Sequence, residues 1–394
     1  MLERIVIVGA GHAGGAAAIS LREMGFQGML TVVGDEPHPP YERPSLSKGY
    51  LSGAEPEPVW LAPADRWAEL EVTLRLGVAV TEIDRAAGAV RFADGGSEPF
   101  DALVLATGGR VRRLPLPHHP AVLYLRTPDD ARAVAAAARP GARVLIVGGG
   151  VIGLEAASTL QGLGLSTVVI EAGERILGRN IPAEAAGWLA AAHARIGVDV
   201  RLGRSLAALE DHDAGVRARL DDGASLEVDL VVVGIGIEPC TALAEAAGLP
   251  TAAGIVVGAD YRSPADDRVF AIGDVAARTT GGAPHRMETW AHAQTSARAA
   301  ARAILGLEPE VEPTPWFWTD QCGHSLQILG DPAAADADVA RGEGVRLYLR
   351  DGVLVGAVCL DRPREFAAAR RLVGKVVNPE AAADPAVDLR KAAA

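Results

Sequence analysis

Gly9-Ala10-Gly11-His12-Ala13-Gly14 and Gly148-Gly149-Gly150-Val151-Ile152-Gly153 repeat one spacing, with glycine at the first, third and sixth positions. Such a spacing works through backbone rather than side chains. Gly9 and Gly148 permit a tight turn, Gly11 and Gly150 let N–H groups approach a pyrophosphate, and Gly14 and Gly153 let a helix pack closely on a strand. The phosphates then rest on the positive end of that helix. An isolated copy can be no more than a glycine-rich turn, so its flanks decide.

Those flanks are a β-branched run before each copy, Ile5-Val6-Ile7-Val8 and Val144-Leu145-Ile146-Val147, and a helical stretch after it, to about Met24 and about Leu163. Strand, glycine turn and helix occur twice, which predicts two dinucleotide sites. In the first unit a second strand, Thr31-Val32-Val33, runs into acidic residues. Asp35 is the candidate for the adenosine ribose hydroxyls, with Glu36 as its alternative. In the second unit Glu171 closes the second strand about twenty residues beyond the glycines, where a carboxylate accepts both ribose hydroxyls and repels a 2′-phosphate. NADH is therefore expected over NADPH. Arg175 argues the other way, since a nearby arginine can hold that phosphate. Late in the chain, Asp274 follows Gly273 at the end of the strand Val269-Phe270-Ala271-Ile272. Its carboxylate can accept a hydroxyl of a flavin sugar chain, or it can cap a helix. Together these features predict a flavoprotein that holds FAD in one Rossmann-type domain and a nicotinamide dinucleotide in a second.

The chain has 394 residues, enough for two or three domains. Asp101 to Leu105 reads as a strand ending in Ala106-Thr107-Gly108-Gly109, and Leu230 to Val233 as one ending in Gly234-Ile235-Gly236; both look like crossings between domains. Prolines near residues 309–315 precede alternating segments that suggest a small sheet. The expected architecture is α/β: two Rossmann-like nucleotide-binding domains plus a small α+β C-terminal domain. Residues 1–113 and 240–308 are assigned to FAD, 114–239 to NADH and 309–394 to the last domain. The last dozen residues, alanine-rich and without pattern, are expected to pack loosely.

A net charge of −12 disfavours generic nucleic-acid binding. No apolar run is long enough to span a membrane, and Met1-Leu2-Glu3-Arg4 leads straight into a strand, so a cytoplasmic protein without a membrane partner is expected. Cys240, Cys322 and Cys359 lie far apart without CxxC spacing, which argues against a dithiol redox centre, and no metal-ligand spacing is present.

Further motifs are Tyr41-Glu42-Arg43-Pro44-Ser45-Leu46-Ser47-Lys48, Ala106-Thr107-Gly108-Gly109-Arg110 and Tyr124-Leu125-Arg126-Thr127-Pro128-Asp129-Asp130. Phe270-Ala271-Ile272-Gly273-Asp274, Glu288-Thr289-Trp290 and Trp316-Phe317-Trp318-Thr319-Asp320-Gln321 follow. In that order they resemble, over nearly the whole chain, the FAD-dependent ferredoxin reductases that feed bacterial oxygenases, of the putidaredoxin reductase and biphenyl dioxygenase reductase types. The resemblance implies a glutathione-reductase-like fold. It also implies Lys48 near the flavin N5, paired with Glu155, while Ala13, Arg126, Asp274 and Trp290 line FAD and Val80 touches its adenine end. Arg43, Ala106, Thr107, Gly108 and Trp318 join the flavin set, and Val151, Ile152 and Gly236 the NADH set. The chain departs from the family at Asp361 and Cys240, where relatives often carry Asn.

Beside this stand plainer readings: Lys48 as a solvated loop lysine, Glu155 as a surface acid on a first helical turn, and His292 and His324 as packing or surface residues. One of Trp316 and Trp318 is expected to be core. The implied activity is electron transfer from NADH through FAD to a small acidic 2Fe–2S ferredoxin, by a monomer or weak homodimer, for a ring dioxygenase or a cytochrome P450. An NADH oxidase, a rubredoxin reductase or an apoptosis-inducing-factor-like redox switch remain alternatives. Arg298, Arg302, Arg364, Arg370, Arg371 and Lys375 are candidates for steering the acidic carrier. The purified protein should be yellow and carry about one FAD per chain; freshly isolated, folded protein without flavin absorbance would overturn the assignment.

Overall fold

Two β-branched runs seed two parallel sheets. In the computed structural model, which describes residues 2–179, 181–212, 215–279 and 282–393, Arg4–Val8 lies between Met29–Gly34 and Ala102–Leu105. Ile7 sits opposite both Val32 and Val104. Val72–Leu76 and Asp266–Ala271 extend this sheet, and the short antiparallel strand Arg262–Ser263 edges it. Ile5, Val6, Ile7, Leu103 and Val104 are at most 1% exposed. Both faces are covered, which is why these strands are apolar at successive positions rather than at alternate ones. The helices His12–Glu23 and Trp290–Ile304 pack on each other, their small alanines permitting close approach. This compact unit comprises Met1–Pro44, Pro58–Arg110 and Ile237–Pro313.

The second unit comprises Ser45–Glu57, Val111–Gly236 and Thr314–Ala394. Its parallel sheet repeats the plan: Arg143–Val147 lies between Ser166–Glu171 and Leu230–Val233, with Val122–Tyr124 and Asp199–Leu202 outside. Ser45–Glu57 falls inside the span expected for the FAD domain, yet it clusters here. Leu46, Ser47 and Leu51 are buried, and the Thr159 hydroxyl donates to the Ser47 carbonyl at 2.8 Å.

The Arg126-Thr127-Pro128-Asp129-Asp130 motif builds the start of the helix Pro128–Ala137. The Thr127 hydroxyl accepts from the Asp130 N–H at 3.2 Å, and the Asp130 carboxylate accepts from the Thr127 and Arg126 N–H groups at 2.9 and 3.0 Å. With Pro128 at the first helical position this is a capping box, and it also fixes the backbone that carries Arg126.

An antiparallel sheet in the order Trp316–Gln321, His324–Gly330, Val353–Leu360, Val345–Arg350, Ala337–Ala340 forms the C-terminal region. The helix Pro363–Leu372 buries Phe366, Ala369 and Leu372 in the core beside it. The expectation of a loose tail was wrong. Leu389 and Ala392 are buried, and the guanidinium of Arg341, 4% exposed, donates to the carbonyls of Ala382, Asp384 and Val387 at 3.1, 2.6 and 2.7 Å. The tail lacks periodicity because a side chain some forty residues upstream, not its own pattern, orders it. The chain is thus α/β, with two Rossmann-like sheets and a small α+β C-terminal region. Among the described residues no helix is long and apolar enough to cross a membrane. Thr127→Ala should cost about 1 kcal/mol of stability, read as a lower urea midpoint, while Thr127→Ser retains the wild-type midpoint.

Candidate functional site

The first glycine loop is built by close approach. Gly9 has φ +115°, and a Cβ there would run into the Ala106 carbonyl oxygen; one at Gly14 would run into the carbonyl of Gly9. The second loop repeats this, with Gly148 against the Gly234 carbonyl and Gly153 against that of Gly148. Gly11 and Gly150 stand at the N-caps of His12–Glu23 and Val151–Gly162, and neither supplies a side-chain bond. The first N–H groups of both helices are therefore available to a phosphate.

Around the first loop several candidates come together. The nearest atom to a Cβ placed on Gly11 is an Arg43 nitrogen at 3.9 Å. Arg43 is held by the Tyr41 hydroxyl and Glu36, each at 2.7 Å, and Tyr41 donates to the other Glu36 oxygen at 2.6 Å. Burial acts to lower the Arg43 pKa, but Tyr41 and Glu36 together hold it above its ordinary value. Glu36 is thus engaged within the protein, whereas the neighbouring Asp35 is exposed. Ala13 lies under Gly273, where φ is +66° and a Cβ would come 2.8 Å from the Ala13 Cβ. The Gly273 N–H donates to the buried Ser296 hydroxyl at 3.0 Å.

Asp274 sits within the 3-10 turn Gly273–Val275, whose N-cap, Ile272, makes no side-chain bond. The alternative that Asp274 caps a helix does not hold. Thr289 caps the helix Trp290–Ile304, accepting from the His292 N–H at 3.1 Å. The sequence reading missed His12, whose ring packs 5.2 Å from that of Trp290. Burial pushes its pKa down to about 4 against the pull of Asp274, and among the described residues neither ring nitrogen has a hydrogen-bond partner. The only signal for it was its place inside the glycine loop. His292, expected as a packing or surface residue, is buried beside Tyr261, and burial lowers it to about 4. Val80 opens the strand Val80–Asp84 against the core. Ala106 is buried, the Thr107 hydroxyl donates to the Cys240 carbonyl at 2.9 Å, and the Cys240 N–H donates to the Gly108 carbonyl at 3.0 Å. Those bonds tie the two chain crossings together.

In the second unit, Glu171 bridges its own loop, accepting from the N–H groups of Gly149 at 2.7 Å and Gly173 at 2.8 Å. Arg175 donates to the carbonyls of Ile181 at 2.6 Å and Gly178 at 2.9 Å. The arginine is thus engaged with backbone, and the carboxylate stands at the end of the strand. Val151 begins the following helix, and Ile152, 42% exposed, offers an apolar surface beside the loop. Gly236 has φ +97° and its carbonyl accepts from the Arg112 N–H at 2.9 Å.

Lys48, Glu155, Arg126 and Trp318 all belong to this second unit. Glu155 is 2% exposed, so the surface-acid alternative fails. It accepts from Lys48 Nζ at 3.0 Å, the Ser47 hydroxyl at 2.5 Å and the Thr319 hydroxyl at 2.7 Å. Lys48 is 22% exposed and ion-paired rather than a freely solvated loop residue. Such a buried carboxylate persists because donors meet it. Ser47 and Thr319 were not singled out from the sequence, where no local pattern marks either of them. Trp318 donates to Asp320 at 3.0 Å and stacks on Trp316 with centroids 5.5 Å apart. Trp316 also meets Phe366 and the Arg370 guanidinium, so both tryptophans are half-buried. The departure at Asp361 has a local account: with φ +55°, it accepts from His324 Nδ1 at 2.6 Å and the Ser325 N–H at 2.8 Å. His324, expected to pack or sit at the surface, is half-buried in that bond. The three cysteines are free, and the described residues contain no cluster of potential metal ligands.

The pyridine nucleotide-disulphide oxidoreductase family matches residues 3–297, and the reductase C-terminal family matches residues 316–393. The chain belongs to the pyridine nucleotide-disulphide oxidoreductase family. It is 40% identical to a probable ferredoxin reductase of Castellaniella defragrans, over 98% of each chain. It is 37% identical to the ferredoxin–NAD(+) reductase subunit of a benzene 1,2-dioxygenase system of Pseudomonas putida, over 99% of this chain and 97% of the other. Among solved structures, the covalent putidaredoxin reductase–putidaredoxin complex matches with a TM-score of 0.93 and 32% identity, covering 99% of this chain and 97% of that one. With the Glu171 carboxylate at the end of its strand and Arg175 bonded to backbone, NADH should reduce the protein with at least roughly ten-fold higher kcat/KM than NADPH, a difference of about 1.4 kcal/mol. Glu171→Ala should narrow the ratio; an unchanged ratio in stopped-flow reduction would confine Glu171 to loop bonding.

Proposed function

We propose that this chain is an NADH-dependent ferredoxin reductase, a cytoplasmic flavoprotein that passes electrons from NADH through FAD to a small acidic 2Fe–2S ferredoxin serving an oxygenase, as a monomer or weak homodimer. The observation that carries the reading is the pair of glycine loops with uncapped helix N-termini, in a chain whose ferredoxin reductase relatives align from end to end. The residues around the first loop suit FAD. Arg43 offers a cation beside Gly11, Gly273 and Ala13 leave no room for added side chains, and the two buried nitrogens of His12 await a polar partner. When bound, FAD accepts a hydride from NADH and gives up its electrons singly, the step that couples a two-electron donor to an iron–sulfur carrier.

The chain's own work is binding and electrostatics. Arg43 and the first N–H groups of His12–Glu23 would hold the flavin pyrophosphate, Asp35 the ribose and Asp274 the sugar chain. In the second unit, Gly150 and the Val151–Gly162 helix would hold the NADH pyrophosphate and Glu171 its ribose. With a flavin bound, Lys48 would supply a positive charge that favours the reduced, anionic ring, and Glu155 compensates the burial of that lysine.

Electrostatic steering of the carrier needs revision from the sequence reading. Arg298 donates to both oxygens of Glu310 at 2.7 Å and Arg302 donates to one of them at 2.8 Å, so this one carboxylate offsets about half of their joint charge and ties both side chains down. Arg364, Arg370, Arg371 and Lys375, on and just after Pro363–Leu372, are exposed and make no ion pair among the described residues. That face is the better docking candidate for an acidic partner. Raising ionic strength, which screens exposed charges beyond about 10 Å at 0.1 M, should slow ferredoxin reduction while leaving reduction of a small neutral quinone unchanged. Arg371→Glu with Lys375→Glu should weaken the ferredoxin reaction more than Arg298→Glu with Arg302→Glu. The reverse ranking would move the docking face, and rapid oxygen consumption without any carrier would favour an oxidase.

A further inference from the structure

We infer that Thr319, Gln321 and His193 are positioning residues for Lys48, acting through Glu155 along one buried hydrogen-bond chain. The inference deepens the proposed role of Lys48 and rests on it. His193 Nε2 lies 2.6 Å from Gln321 Oε1, Gln321 Nε2 donates to Thr319 Oγ1 at 2.9 Å, and Thr319 Oγ1 donates to Glu155 Oε1 at 2.7 Å. None of the four residues is more than 4% exposed.

The polarity of the chain follows from its end. An ionised carboxylate only accepts, so Thr319 must donate to it; the Thr319 oxygen then accepts the Gln321 amide, and the Gln321 oxygen accepts N–H from His193. Every donor points at Glu155. The two carboxylate oxygens are divided, Oε1 to Thr319 and Oε2 to Ser47 and Lys48. Holding Oε1 stops the carboxylate from turning about its last torsion, and so fixes Oε2. The lysine ammonium, on a stem of four rotatable bonds, is thereby held to one place.

Packing alone does not account for the chain. Apolar side chains of similar volume would fill these sites without the desolvation of an amide, a hydroxyl and an imidazole. The chain also terminates in Glu155 and the partly exposed Lys48, and the neutral His193 closes the far end, kept below its usual pKa by burial against the opposing bond to Gln321. The fold has other ties here. On the same face of the helix as Glu155, Ser158 accepts the Cys322 N–H at 2.7 Å and Thr159 donates to the Ser47 carbonyl at 2.8 Å. Interrupting the chain therefore leaves the segments docked.

The test uses the FAD-loaded protein with Thr319→Val, which keeps the shape and removes the donor, and Thr319→Ser, which restores it. Two readouts are taken: the acetylation rate of Lys48 by mass spectrometry, and the flavin midpoint potential. Thr319→Val should speed Lys48 acetylation by roughly five-fold, as loss of one ordinary hydrogen bond allows, and shift the potential in the direction that Lys48→Ala does. Thr319→Ser should match wild type in both. Gln321→Leu, one bond further away, should give smaller changes of the same sign, and stands in if Thr319→Val does not fold. Wild-type acetylation and potential in the folded chain-breaking variants overturn the inference. Faster Lys48 acetylation in Thr319→Val, with no shift of potential in Lys48→Ala, would support the positioning link and overturn instead the placement of Lys48 at the flavin.

Discussion

A carboxylate as buried as Glu155 has to be met by donors, and its donors come from far along the chain. Ser47 and Lys48 lie 108 and 107 residues before it, and Thr319 lies 164 residues after it. The second unit consists of three stretches discontinuous in sequence, and this one charge is where all three meet. Removing the ammonium partner of such a group costs about 3–5 kcal/mol when the pair is buried, because the charge stays behind. The interaction therefore links the integrity of the unit to the placement of the lysine expected to act on the flavin.

The two glycine loops share a backbone and differ in one reciprocal choice. In the first, a Cβ at Gly34 would come 2.5 Å from the Ala10 Cβ; in the second, a Cβ at Gly149 would come 3.0 Å from the Glu171 Cβ. Only one of the two facing positions can comfortably carry a side chain. Placing alanine in the first loop forces glycine at its strand end and moves the nearest acid to Asp35. Placing glycine in the second frees its strand end for Glu171. One packing constraint thus separates two nucleotide sites of common design.

The sheets, the helices after them and both loops were legible because they follow from local pattern: β-branched runs, glycine spacing and helical period. The remainder depended on partners distant in sequence. Nothing local to Trp316–Gln321 says that Thr319 faces a glutamate on another element, and nothing near Arg298 and Arg302 says that Glu310, in a proline-rich stretch, will bond both. Asp274 had a local claim to cap a helix, but it lies inside the turn Gly273–Val275, and the helix Trp290–Ile304 is capped by Thr289. His12 was hidden because the loop was read for its glycines, whereas its burial comes from Trp290 across the unit.

Arg341 gives the end of the chain a meaning that its composition conceals. A buried guanidinium whose partners are the carbonyls of Ala382, Asp384 and Val387 is solvated, in effect, by the tail itself. Those residues act as a fixed hydration shell, replacing water that cannot enter. A proteolytic cut between Leu372 and Ala382 would remove no catalytic group, yet it would strand a permanent positive charge in an apolar interior. The alanine-rich sequence suits this duty, since small side chains leave the carbonyl oxygens uncovered and let three of them converge on one cation.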